Sequence, residues 1–131
     1  MERIRLTGAA RNQLVTLKRR TNIEHYNTLC RHALCLSLAN PSIPPLEAFD
    51  YAGGIDIDWR TFTGGQEALY YNLLVTRLIV DGERVDEEAV RQTLVRHVHR
   101  GLSYLVSRRE EDLLFELARS LVENAGHAAE V

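Results

Sequence analysis

Residues 3–7, RIRLT, alternate strictly, with Ile4 and Leu6 on one side and Arg3, Arg5 and Thr7 on the other. A period of two marks a short strand buried on one face. So short a strand is unstable alone, and the most economical partner is the same segment of a second chain, paired as a two-stranded ribbon. From Gly8 the period becomes helical. Ala10, Leu14 and Leu17 fall at i, i+4 and i+7, while Arg11, Lys18 and Arg19 point away from that stripe. The stripe stops at Thr21-Asn22, where Asn tolerates the left-handed backbone that closes a helix. Thr21 and Glu24 also have the spacing of a capping box for the next helix.

That second helix is expected over 24–39. Tyr26, Leu29, Cys30, Ala33, Leu34, Leu36, Ser37 and Leu38 cover most of its circumference. A helix so broadly apolar is buried on several sides, as a central helix or a subunit interface. Asn40-Pro41 ends it and Pro44-Pro45 prevents its resumption. Residues 41–65 read as an irregular connection. Within it Ile55, Ile57 and Trp59 alternate with Asp56, Asp58 and Arg60, as in one short strand or a packed loop. Further helices are predicted over 66–80, with Leu69, Leu73, Leu74 and Leu78, and over 86–106, opened by Asp86-Glu87-Glu88. A last helix starts at Ser107-x-x-Glu110 and carries Leu113, Leu114, Leu117, Ala118 and Leu121, followed by a frayed tail. The resulting fold class is mainly α, one domain over 1–131. It comprises a ribbon-helix-helix-like part (1–40), a connection (41–65), a helical part (66–124) and a tail (125–131).

Composition narrows the class. The chain has 131 residues, 45% hydrophobic and 26% charged, which suits one globular domain with a modest core. Its apolar runs fall far short of the roughly 20 residues that cross a bilayer, and MERIRLT lacks a signal-peptide core. A soluble, cytoplasmic protein is expected, with no membrane partner. Cys30 and Cys35 lie on different faces of one helix, and their spacing fits no metal or redox motif. Both are expected to be buried free thiols. The net charge of −2 is unevenly distributed: residues 1–40 carry seven basic groups against two acidic ones, and the rest of the chain is acidic. The N-terminal part therefore faces anions.

A basic strand, a basic helix, a short break and a buried helix follow the order of ribbon-helix-helix DNA-binding proteins, whose ribbon enters the major groove. In that arrangement Arg3, Arg5 and Thr7 face bases or phosphates, and Arg11, Lys18 and Arg19 touch the flanking backbone, with Arg20 completing the basic run. The competing reading is that these charges only solvate an outer face. Catalytic chemistry is poorly supplied. Asp56 and Asp58 share a strand face, but Lys18 is the only lysine, so no carboxylate-plus-lysine nuclease motif can be built around them. His97 and His99 are two apart on a helix and do not share a face, so they are no metal pair. His25 and His32 are seven apart and could share one, near Glu24. The phosphate-cradling glycine loop and the nucleophile elbow are both missing. No catalytic residue, metal or cofactor is expected.

The run from Leu6 to Pro45 resembles the DNA sulfur-modification protein DndE family. The matching elements are LKRRT at 17–21, N-x-L-C-R at 27–31, A-L-C-x-S-L at 33–38 and PSIP at 41–44, with the region Gly65–Leu74 compatible but less specific. Asn22 stands where members of the family usually carry Gly, and it can adopt the same backbone. The resemblance implies a non-catalytic subunit that acts with partner proteins in DNA phosphorothioation, in which sulfur replaces a non-bridging phosphate oxygen. It also implies a homo-oligomer, a tetramer in particular, that binds duplex or nicked DNA. Arg3, Arg5, Arg11, Lys18, Arg19 and Arg20 are the expected DNA-binding residues. A ribbon-helix-helix transcriptional regulator and a nicking endonuclease of the same system are the alternatives.

Overall fold

The arginine-bearing strand finds its partner inside the chain. In the computed structural model, which describes residues 1–108 and Ala118, β1 (Arg3–Leu6) pairs antiparallel with β2 (Ile55–Asp58). Arg3 faces Asp58, Ile4 faces Ile57, Arg5 faces Asp56 and Leu6 faces Ile55. This replaces the expected ribbon between two copies. The physical reason lies in the pairs themselves: β2 sets an aspartate against each outward arginine and an isoleucine against each buried residue. A second copy of RIRLT would bring arginines together on the outer face.

Between the strands run α1 (Gly8–Thr21) and α2 (Tyr26–Leu38), and after β2 come α3 (Trp59–Thr63), α4 (Glu67–Val80) and α5 (Glu87–Ser107). Thr7 caps α1 by accepting from the Ala10 N–H at 3.0 Å. Asn22 closes it in the left-handed conformation (φ 58°), donating its N–H to Lys18 O. The Thr21–Glu24 capping box does not form. Thr21 is still helical and donates its hydroxyl to Leu17 O at 2.7 Å, and α2 starts at Tyr26 without a side-chain cap. The expected last helix beyond Ser107 and the tail 125–131 lie outside the described residues.

The broad apolar surface of α2 is used within the chain. Leu29, Cys30, Ala33, Leu34 and Ser37 are buried, chiefly against α5, with α1 and α3 on the flanks. Helix α5 reciprocates with Val90, Leu94, Val98, Leu102 and Leu105. Where the two cross, a Cβ on Gly101 would sit 1.8 Å from Ala33 O, so only glycine admits this approach. The short α3 was unexpected. Asp58 caps it by accepting from the Thr61 N–H at 3.2 Å, and Trp59 stacks on Phe62 with ring centroids 5.9 Å apart.

Two arginines fasten the C-terminal end of α2, whose last turn has no basic residue of its own. Arg77 donates to the carbonyls of Leu38, Asn40 and Ser42, each at 2.9 Å, while its Nε contacts Asp81 at 3.0 Å. Arg100 donates to Ser37 O at 2.8 Å and to Ser42 Oγ at 2.9 Å. Cations suit this negative helix end, and here they also fix the chain that follows it. Among the described residues no helix is long and apolar enough to cross a membrane.

Candidate nucleic-acid interface

Helix α1 contains no Asp or Glu, and four cations lie within its 14 residues. Leu14 and Leu17 turn the helix toward α2 and α5, which leaves Arg11, Val15 and Lys18 in one exposed column and Asn12 and Arg19 in the next. Arg11 and Arg19 make no ion pair among the described residues. The Lys18 ammonium lies 5.6 Å from the Tyr26 ring centroid, across the break between α1 and α2. Arg20 is half-buried and donates to Val106 O at 3.1 Å, tying the end of α1 to the end of α5. Part of this charge serves the helix itself, since Lys18, Arg19 and Arg20 occupy the negative end of its dipole. The rest is an acid-free, outward cationic edge on a helix whose two ends are both capped.

The six residues singled out by sequence therefore separate into two groups. Arg11, Lys18, Arg19 and Arg20 share α1. Arg3 and Arg5 lie on the outer face of the sheet opposite Asp58 and Asp56, with Arg5 Nε 3.4 Å from the Asp56 carboxylate and its guanidinium 5.4 Å from the Tyr51 ring centroid. They border an open cleft of about 910 Å³ that also carries Glu87, Glu88 and Arg91. Charge there is balanced, and the sheet is not a cationic surface.

The other candidates are engaged in structure. Asp56 pairs with Arg5, and Asp58 caps α3. His97 and His99 point to different neighbours. His97 is fully buried with Nδ1 2.7 Å from Ser37 Oγ, a hydroxyl that also accepts from Arg100 Nε. Burial, aided by the nearby Arg77 and Arg100 charges, pushes its pKa down to about 4, so the ring is neutral. His99 accepts from the Thr7 N–H through Nε2 at 3.2 Å and donates Nδ1–H to Val95 O at 2.7 Å, while stacking on Phe49. Burial also lowers its pKa. His25 is exposed just before α2, and burial followed by the Arg31 charge lowers the pKa of half-buried His32. Among the described residues no three His, Cys, Asp or Glu side chains converge as a metal site. Cys30 is buried, its thiol pushed up to about 12, but Cys35 is exposed, contrary to expectation.

Sequence reasoning missed the arginines that hold the framework. Arg31 donates to Phe62 O at 2.7 Å, and Arg77 and Arg100 clamp the α2 terminus. Only the absence of a basic residue in the last turn of α2 hinted that donors had to come from elsewhere.

These features define a mainly helical protein with a small internal sheet and one acid-free cationic helix edge. The chain belongs to the family of the DNA sulphur modification protein DndE, whose sequence profile matches residues 3–112. A solved structure of DndE from Escherichia coli B7A, described as involved in DNA phosphorothioation modification, shares the fold with a TM-score of 0.67 and 21% identity. The match covers 80% of this chain and 96% of that one. A comparison with curated proteins finds no match.

Proposed function

We propose that this chain is a non-catalytic, DNA-binding subunit of a DNA phosphorothioation system, acting beside the system's other proteins. The observation that carries the reading is the α1 edge: Arg11, Lys18 and Arg19 are outward, unopposed by any acid on their own helix, and held at a break fixed by Asn22. Such an edge contacts phosphates and carries no base readout, so duplex shape or a nick matters more than sequence. The regulator alternative is disfavoured because the strand that would read bases is paired with β2 and its arginines face aspartates. Fluorescence anisotropy with intact and nicked duplex tests the reading. The double variant Lys18→Glu/Arg19→Glu should bind at least about tenfold more weakly at low salt, as expected when two phosphate contacts become repulsions. Unchanged affinity would sink the proposal, and nicking of supercoiled plasmid by pure protein would replace it with the nuclease alternative.

We also infer that the chain is a homo-oligomer, for which a tetramer fits the family resemblance, and that α4 supplies the contact. With α2 consumed inside the fold, α4 presents Leu69, Leu73 and Val80 at 60%, 39% and 75% exposure, spaced with Thr76 as the seam of packed helices. Light scattering should report a multiple of the 14.9 kDa chain mass, and Leu69→Glu/Val80→Glu should reduce it to one chain. A parent protein of one-chain mass contradicts the assembly.

A further inference from the structure

The backbone of β1 is satisfied on one side only. Antiparallel pairing alternates residues that exchange hydrogen bonds with residues whose N–H and C=O groups turn away from the partner strand. The ladder continues past the start of β1, where the Trp59 N–H donates to Glu2 O at 2.9 Å, so Ile4 and Leu6 are the next residues bonded to β2. Arg3 and Arg5 therefore turn their main-chain groups to the opposite edge. So does Thr7, whose N–H donates to His99 Nε2 of α5 at 3.2 Å. Among the described residues the main-chain groups of Arg3 and Arg5 have no hydrogen-bond partner.

This open edge borders the cleft of about 910 Å³, which the segment 46–51 and the first half of α5 also line. Both ends are pinned: the Met1 amine lies 3.1 Å from Glu87, and His99 holds Thr7. Residues 1 to 7 extend about 20 Å as strand, and residues 87 to 99 about 18 Å as helix. The edge thus has room for about five extended residues. Leu46, Phe49 and Tyr51 supply apolar side chains beside it, with Leu46 83% exposed.

The geometry points to this edge as a docking site for an extended segment of another protein, added to the sheet as a third strand, in which carboxylates alternate with apolar residues. Main-chain bonds to Arg3 and Arg5 fix its register. Its side chains line up with those of β1, so acids fall beside the arginines and apolar residues beside Ile4 and Leu6, as β2 already shows on the other edge. Two guanidiniums of the cleft have no ion pair among the described residues. One is Arg3, whose cross-strand neighbour Asp58 is taken up in capping α3, and the other is Arg96. A second copy of this chain is a poor occupant. Its RIRL would set arginine against arginine, and in its IDID Asp56 is held by Arg5 and Asp58 by α3. Nucleic acid fits no better, because Glu47, Glu87 and Glu88 line the cleft. The inference is independent of the DNA-binding reading of α1.

Amide exchange followed by NMR on the full chain tests it. In the free protein the Arg3 and Arg5 amides should exchange rapidly, and those of Ile4 and Leu6 slowly. A synthetic GIDIDIG peptide at millimolar concentration should shift and protect the Arg3 and Arg5 amides, and a GIKIKIG control should not. Arg3→Pro removes the unused N–H at the first position of the strand, where proline is tolerated, and should weaken peptide binding at least about tenfold. Arg3→Gln keeps that N–H and should cost only about two- to fivefold, as for an exposed ion pair. Unchanged Arg3 and Arg5 amides in the parent overturn the proposal, whatever Arg3→Pro does to the sheet. Loss of protection at Ile4 and Leu6 also overturns it, since the peptide would then have displaced β2. Arg3 and Arg5 amides already protected in the free protein and released on dilution would assign the edge to a second copy instead. Displacement of the peptide by duplex DNA would assign it to nucleic acid.

Discussion

Gly101→Ala should destabilise the protein by at least about 3 kcal/mol, although an alanine in a helix interior is ordinarily favoured over glycine by about 1 kcal/mol. The reversal follows from what the added methyl would meet. Its carbon would stand 1.8 Å from Ala33 O, 2.3 Å from Ala33 C and 2.7 Å from Ala33 Cα, all backbone atoms of the buried face of α2. No side-chain rotation relieves such an overlap, so α2 and α5 must part along the seam that buries Leu29, Leu34, Leu94 and Leu102. Urea unfolding followed by circular dichroism would show the loss as a lower midpoint. A variant as stable as the parent would mean that the two helices do not approach this closely.

Arg77→Leu should be similarly damaging, at about 3–5 kcal/mol, the range for removing one partner of a buried ion pair. Arg77 and Asp81 have side chains only 10% and 8% exposed, so the substitution strands a carboxylate in a dry site. It also strips the carbonyls of Leu38, Asn40 and Ser42 of their donor where the chain leaves α2. The double variant Arg77→Leu/Asp81→Leu should recover part of the loss, because the unpaired charge is gone while the carbonyls remain unsatisfied. Thermal denaturation of the parent, single and double variants closes that cycle. If the double variant is no better than the single one, the carbonyl clamp rather than the ion pair carries the stability.

Such features show where sequence was informative and where it was not. Local periodicity placed α1, α2, α4 and α5 within a few residues but gave no sign of α3, and the left-handed tolerance of Asn22 marked the break between α1 and α2 correctly. The pairing of β1 was missed because its complement, IDID, comes from a distant part of the chain, and alternation shows only that a partner is needed. The same distance hid the pairing of Arg5 with Asp56 and the placement of Arg3 opposite Asp58, so both arginines looked as available as Arg11 and Lys18 when charge was read locally. The helix over 66–80 is predicted from the leucines at 69, 73, 74 and 78, yet of these only Leu74 and Leu78 are buried. Its apolar residues occupy more than one face, and periodicity cannot say which face meets the core. Arg77 gave no warning at all, since an arginine on a helix is ordinarily a solvated one.

In the proposed function, phosphate is gripped by the edge of α1 and not by the strand. The salt dependence of duplex binding separates the two, because each phosphate neutralised contributes about 0.9 to the slope of log K against log salt. Lys18→Gln/Arg19→Gln should flatten that slope by about 1.8 relative to the parent, whereas Arg3→Gln/Arg5→Gln should leave it unchanged. A slope that is flattened by the strand pair and untouched by the helix pair would contradict the account.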